Sequence, residues 1–147
     1  MNREINFIVE SILQNSNASK QLLGQRFASY FGLDAGSGGA DDGIDGFIIK
    51  DNKRIHFQSK LRSTKLDRED ARSYFSDIIY HEANISIILS GIGFKETFKN
   101  RLFGHKGVEK VDIHLLELKD IFERNEKFIK ACTVLPELIY LDDRSEI

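Results

Sequence analysis

Apolar residues recur at helical spacing at the start of the chain, with Ile5, Ile8, Val9, Ile12 and Leu13 on one stripe. Asn15-Ser16-Asn17 breaks that helix. Ser19 is placed to cap a second helix, in which Leu22, Leu23, Arg26, Phe27, Tyr30 and Phe31 form one broad face. Gly32 stands where a C-terminal glycine cap belongs. Residues 33–43 then hold four glycines and three aspartates, a composition too costly in backbone entropy for a regular element, so an exposed loop is expected.

The period then changes. Residues 44–50 read as a strand with apolar side chains on both faces. Asp51-Asn52-Lys53 reads as a hairpin turn. In residues 54–62, Ile55, Phe57 and Leu61 point one way, and Arg54, His56, Gln58, Lys60 and Arg62 the other. This predicts one core face and one wholly polar face.

Asp67 is an N-cap, followed by Glu69 and Asp70 in the first turn of a helix that buries Ala71, Tyr74, Phe75, Ile78 and Ile79 and ends near Ala83-Asn84. Residues 85–89 are nearly all apolar, as in a buried central strand. The order strand, helix, strand predicts a crossover and a parallel pair. A helix follows with Phe94, Phe98 and Leu102 on one face, closed by Gly104 and Gly107. Val111, Ile113 and Leu115 alternate with Asp112 and His114 in a more peripheral strand. Leu118, Ile121, Phe122, Phe128 and Ile129 are assigned to one last long helix, and an acidic tail starts at Pro136.

Composition narrows the class. A chain of 147 residues fits one domain, residues 1–147, burying about 68–70% of its unfolded surface. Its 41% hydrophobic and 30% charged content is that of an ordinary globular protein. A net charge of −2 announces no global affinity for nucleic acid. The single cysteine, Cys132, excludes an internal disulfide and a cysteine-based zinc site, and fits a reducing compartment. His81, His105 and His114 are scattered, and are read as surface or structural residues. No apolar run is long enough for a membrane span, and no signal-peptide core is visible, so a cytoplasmic location is expected.

Local charge is less even. Residues 50–72 carry eight basic side chains against four acidic ones, and residues 95–110 add Lys95, Lys99, Arg101, Lys106 and Lys110. A near-neutral chain with such segments can still present one basic face to a phosphate backbone.

The candidate chemistry sits at the hairpin. A solvent-facing edge strand would also alternate as residues 54–62 do. What favours chemistry is Asp45, which lies just before the paired strand, where its carboxylate can meet Gln58 and Lys60. Phosphodiester hydrolysis needs charge neutralisation and an activated water, and Mg²⁺ supplies both with few protein ligands. Asp45 offers the carboxylate, Gln58 its amide oxygen and Ser59 its carbonyl. Lys60 is suited to stabilising the pentavalent phosphate or orienting the attacking water. His56 and Arg62 on the same face, with Lys65 beyond it, are candidate phosphate contacts.

Ala40-Asp41-Asp42-Gly43-Ile44-Asp45, the apolar strand, the hairpin and Gln58-Ser59-Lys60 together resemble the PD-(D/E)XK nuclease superfamily, and within it the Mrr-like restriction endonucleases. Those carry a Gly-Asp-x-Gly-Ile-Asp turn followed by Gln-x-Lys. Residues 85–102 and 113–118 resemble the next strand and helix and the strand entering the last helix of that family. The resemblance implies a restriction-endonuclease-like α/β fold, a mixed β-sheet core flanked by α-helices. It also implies Mg²⁺-dependent cleavage of DNA, with Mn²⁺ able to substitute, and frequent homodimers. Asp45, Gln58 and Lys60 become the expected catalytic residues, with Asp45, Gln58 and Ser59 as metal ligands. Asp41 and Asp42 take supporting roles, as do Glu10 or Gln25 if a residue of the first helix assists. Departures from the pattern are alanine before Asp41, glutamine in place of an acidic residue at 58, and no visible strand in residues 33–38. The expected function is a restriction or defence endonuclease. The alternatives are a four-way-junction (Holliday) resolving nuclease and an inactive nucleic-acid-binding or assembly module on the same fold.

Overall fold

The computed structural model describes residues 3–36 and 44–136. Asp41, Asp42 and the tail beyond Pro136 lie outside the described residues. Two helices, α1 (Arg3–Leu13) and α2 (Asn17–Tyr30), precede a short β1 (Asp34–Ala35), β2 (Gly46–Lys50) and β3 (Lys53–Lys60). Then come α3 (Arg68–Tyr80), β4 (Ile85–Ser90), α4 (Glu96–Phe103), a 3₁₀ turn (Val108–Lys110) and β5 (Asp112–Glu117), followed by α5 (Leu118–Glu123) and α6 (Glu126–Cys132). The strands form one sheet in the order β1-β2-β3-β4-β5. β1, β2 and β3 are antiparallel neighbours, while β3, β4 and β5 run parallel. The fold is α/β, with a mixed five-stranded sheet flanked by helices.

Local chemistry explains most element ends. Asp51 and Asn52 both have positive φ (52° and 66°), as a two-residue hairpin turn matching the strand twist requires. Asp67 caps α3 by accepting from Asp70 N, while the Asp70 carboxylate accepts from Asp67 N, a reciprocal capping box. Gly32 takes a left-handed φ of 82° just past α2.

Helices cover both faces of the sheet. On one face Val9, Phe27, Phe31, Ile121 and Phe128 pack on Ile55, Phe57, Ile87, Leu89 and Leu116. On the other Tyr74, Phe75, Ile78, Phe98 and Leu102 pack on Ile88. All six residues of β4 are buried, as expected of a strand covered on both sides. Among the described residues no helix is long and apolar enough to cross a membrane.

Ile79, expected in the buried stripe of α3, is 58% exposed, and four further readings of the sequence need correction. The cap of α2 is Ser16, whose Oγ accepts from Ser19 N, because the helix starts at Asn17 and leaves Ser19 in its first turn. A strand does precede the acidic turn: Asp34 and Ala35 pair with Phe47 and Gly46, on register supplied by β2. The last helix is two helices, broken at Arg124, which is left-handed (φ 52°), with Asn125 capping the second. The polar face of β3 is not a solvent face, because α3 lies on it and buries His56 and Gln58.

Candidate functional site

Asp45 occupies the bend that enters β2. Its N–H donates to Phe57 O at 2.9 Å and its carbonyl accepts from Gly36 N at 2.7 Å, which ties the entry to both neighbouring strands. The Asp45 carboxylate then reaches the end of β3, where Oδ2 accepts from Ser59 N at 2.7 Å and from Ser59 Oγ at 3.4 Å. A short bond from backbone N–H to carboxylate is charge-assisted and fixes the side chain.

Close packing of α2 completes this corner. A Cβ built on Gly24 would fall 2.3 Å from Ser59 Oγ and 3.9 Å from Asp45 Cγ. Glycine at 24 leaves the Ser59 hydroxyl room between the helix and the strand. Gln25 is therefore the next residue to the point of contact, half-buried on α2. Glu10 is exposed on α1, which packs chiefly on α5 rather than on β2 or β3.

The polar face of β3 meets a stripe of α3. Arg62 donates twice to Asp70, at 3.0 and 2.7 Å. Gln58 Nε2 donates to Asp77 Oδ2 at 2.9 Å. His56 Nδ1 lies 2.7 Å from Ser86 Oγ, itself 2.5 Å from Tyr74 Oη, and the His56 ring stacks on His81. Burial pushes the Tyr74 hydroxyl pKa up, against the lowering effect of its bond to Ser86. Arg54 Nε donates to His81 O at 3.0 Å. Lys60 is the exception: its side chain has no hydrogen-bond or ion-pair partner among the described residues.

This placement separates the predicted residues. Asp45 and Ser59 meet directly, and Lys60 follows Ser59 at the strand end. Gln58 is 2% exposed and turned to α3. His56 is 0% exposed, which removes it as a phosphate contact, since a group sealed under a helix touches no polyanion. Arg62 keeps a half-exposed side chain, yet its guanidinium is already engaged by Asp70. Asp77 is the residue that sequence reasoning missed. Its signal was the spacing of Asp70, Tyr74, Asp77 and His81, one helical stripe of polar or hydroxyl-bearing side chains.

Lys65 belongs to a different feature. A cavity of about 430 Å³ follows the outer edge of β5 and is lined by Lys65, Lys99, Lys127, Lys130, His114 and Glu117, among others. It lies away from Asp45. Burial first, and then the neighbouring Asp120, raise the Glu117 carboxyl pKa, with Lys119, Lys127 and Lys65 opposing. The remaining histidines are structural, as expected. His105 stacks on Phe75 at 4.2 Å, and burial lowers its pKa. His114 is buried with Nε2 3.1 Å from Asp112 Oδ1, off the line of a hydrogen bond. Partial burial raises the Cys132 thiol pKa.

The donors that meet at the corner are oxygens, the Asp45 carboxylate and the Ser59 hydroxyl, while the Gln58 amide is turned to α3. Such a set suits a hard cation that keeps most of its waters, and does not suit zinc or copper. No group of three or more His, Cys, Asp or Glu able to hold a metal occurs among the described residues. Comparison of the chain with family models, with characterised proteins and with solved structures gives no match.

Proposed function

We propose that the chain is a Mg²⁺-dependent endonuclease of the PD-(D/E)XK type, with a restriction-endonuclease-like fold, acting on DNA. The observation that carries this reading is the corner itself. Asp45 is locked onto the backbone of Ser59, and the adjoining Lys60 is the one polar-face residue of β3 that α3 does not engage. Asp45 would hold the cation, with oxygens of Ser59 completing the protein's share. The cation, when bound, supplies charge neutralisation at the phosphate and a more acidic water. Lys60 orients that water and stabilises the charge building on the phosphorus oxygens. The water oxygen bonds to phosphorus, the bond from phosphorus to the departing sugar oxygen breaks, and that oxygen ends protonated. Cutting both strands of a duplex calls for two such corners, hence a homodimer.

A second reading has its own support: a single secure carboxylate among the described residues fits a DNA-binding module that does not cut. Incubation of the pure protein with supercoiled and branched DNA and Mg²⁺ or Mn²⁺ separates the two. Nicking that is lost in both Asp45→Ala and Lys60→Ala is the expected result. An inert but folded protein that still binds DNA favours the module, and activity surviving both substitutions sinks the catalytic assignment.

A further inference from the structure

The sheet ends at β5, and nothing among the described residues pairs with its outer edge. Along a strand, successive residues turn their amide and carbonyl to opposite sides. Asp112 N–H donates to Asn84 O at 2.9 Å, toward β4. Ser90 Oγ, on β4, donates to Leu116 O at 3.3 Å. His114 and Leu116 therefore bond inward, and Ile113, Leu115 and Glu117 turn their backbone groups to the open edge. Asp120 accepts from Glu117 N at 2.9 Å. The outward groups of Ile113 and Leu115 meet no partner among the described residues. Such an edge is a template for a further strand.

The edge lies in a trough. The cavity of about 430 Å³ follows it, and Ile113 and Leu115 in its floor are half-buried. Lys65, Lys99, Lys127 and Lys130 line it, and none of them makes a hydrogen bond or a close ion pair among the described residues. The acids of the trough are better matched. Asp112 stands 3.1 Å from His114 Nε2, Asp120 holds Glu117 N and the Asn125 side chain, and Glu117 is offset by Lys127 and Lys65. An extended segment with an apolar middle and acidic flanks complements such a surface.

We propose that the outer edge of β5 is a strand-docking site and that its occupant is the chain's own segment 137–143, Glu-Leu-Ile-Tyr-Leu-Asp-Asp. Leu138 to Leu141 are apolar on both faces, as suits a strand in a sheet covered on both sides. Glu137, Asp142 and Asp143 bring negative charge to the four lysines. The length matches, since seven residues span about 23 Å at strand rise and the six of β5 about 20 Å. The starting point matches too. Leu135 is buried in the same cluster as Leu116, Phe128 and Ala131, so the segment begins beside the helix that carries Lys127 and Lys130. A tether this short makes the pairing intramolecular, at an effective concentration in the millimolar range.

Hydrogen exchange of the purified full chain, followed amide by amide in ¹⁵N spectra, tests this first without a substitution. Ile113 and Leu115 should exchange at least about 10-fold more slowly than free peptide amides. Tyr140→Pro removes a ladder donor from the middle of the segment, and should return both to near the free rate. His114 and Leu116 bond to β4 and serve as the control within the same strand: they should stay protected in the variant. Asp142→Lys combined with Asp143→Lys is a milder second variant that sets like charge against the lysines, and should speed exchange of the same two amides several-fold. Free exchange of Ile113 and Leu115 in the wild-type chain overturns the proposal. So does protection of the two that is unchanged in both variants. Protection that is lost on tenfold dilution gives the edge to a second copy of the chain, and overturns the intramolecular occupant.

Discussion

Gly24→Ala tests the packing of the corner while leaving Asp45, Gln58 and Lys60 unchanged. Replacing glycine by alanine inside a helix ordinarily stabilises by about 0.5–1 kcal/mol. Here the new Cβ would stand 2.3 Å from Ser59 Oγ, far inside contact, yet 3.4 Å from Ser59 Cβ, an ordinary contact. Ser59 must turn its hydroxyl away, losing its 3.4 Å approach to Asp45 Oδ2. Overpacking of this size costs about 1–3 kcal/mol, so in the wild-type background the substitution should destabilise by about 1 kcal/mol. In a Ser59→Ala background the offending atom is gone and the helix gain should appear, stabilising by about 0.5–1 kcal/mol. Urea denaturation of the four proteins closes the cycle, with an expected coupling of about 1–3 kcal/mol. Effects of Gly24→Ala that agree within about 0.5 kcal/mol in the two backgrounds would refute the close approach of α2 to β3. Ser59→Ala alone should leave Asp45 in place, because its 2.7 Å bond comes from the backbone N–H.

Three further outcomes follow from single sites. Asp70 is buried, pairs with Arg62 and closes the cap of α3, so Asp70→Ala should lower stability by about 2–4 kcal/mol from the lost cap and charged bonds together; a loss under about 1 kcal/mol in chemical denaturation would contradict it. Asn52→Gly should raise stability by a few tenths of a kcal/mol or more, since position 52 is already left-handed, and a lowered melting temperature would speak against the assigned turn. Glu117 has a raised folded-state pKa from burial and Asp120, so its contribution is present below the ordinary glutamate value of 4.5 and is lost as pH rises through the folded value. Glu117→Gln should therefore melt higher than wild type at pH 7 and alongside it at pH 4; melting curves that coincide at both would refute the burial of that carboxyl.

What could be read from the chain was what neighbours in sequence decide. The Asp51-Asn52 turn, the Asp67 cap and the Gly32 terminus all follow from local backbone chemistry, and each stands where expected. The central strand was legible because residues covered on both faces are apolar throughout. The misses share a different cause. Arg124 breaks the last helix in a left-handed conformation that its own residue type does not announce, the local signal being the capping Asn125 after it. Two serines three apart compete for one cap, and both touch it. β1 is two residues long and exists through its partner. The largest miss, the burial of His56 and Gln58, arose because alternation reports that a face is polar but not what covers it. The cover was written separately, in the stripe of Asp70, Tyr74, Asp77 and His81.

Matching those two patterns explains why Lys60 is left over. Residues 54 to 62 of β3 and the loop after it span about 26 Å at strand rise. The α3 stripe from Asp70 to His81 spans about 16 Å at helix rise. The helix is therefore too short, by about 10 Å, to place a partner opposite every second strand residue. Two long arginines absorb the mismatch at the ends, Arg62 reaching Asp70 and Arg54 reaching the carbonyl of His81. His56 and Gln58 are matched in the middle by the Ser86–Tyr74 pair with His81 and by Asp77. One position has to go without, and it is the one between Gln58 and Arg62. The ammonium that α3 cannot reach stands next to the residue whose backbone anchors Asp45. The helix that engages the rest of the polar face is the reason that the Lys60 side chain is left without a partner among the described residues.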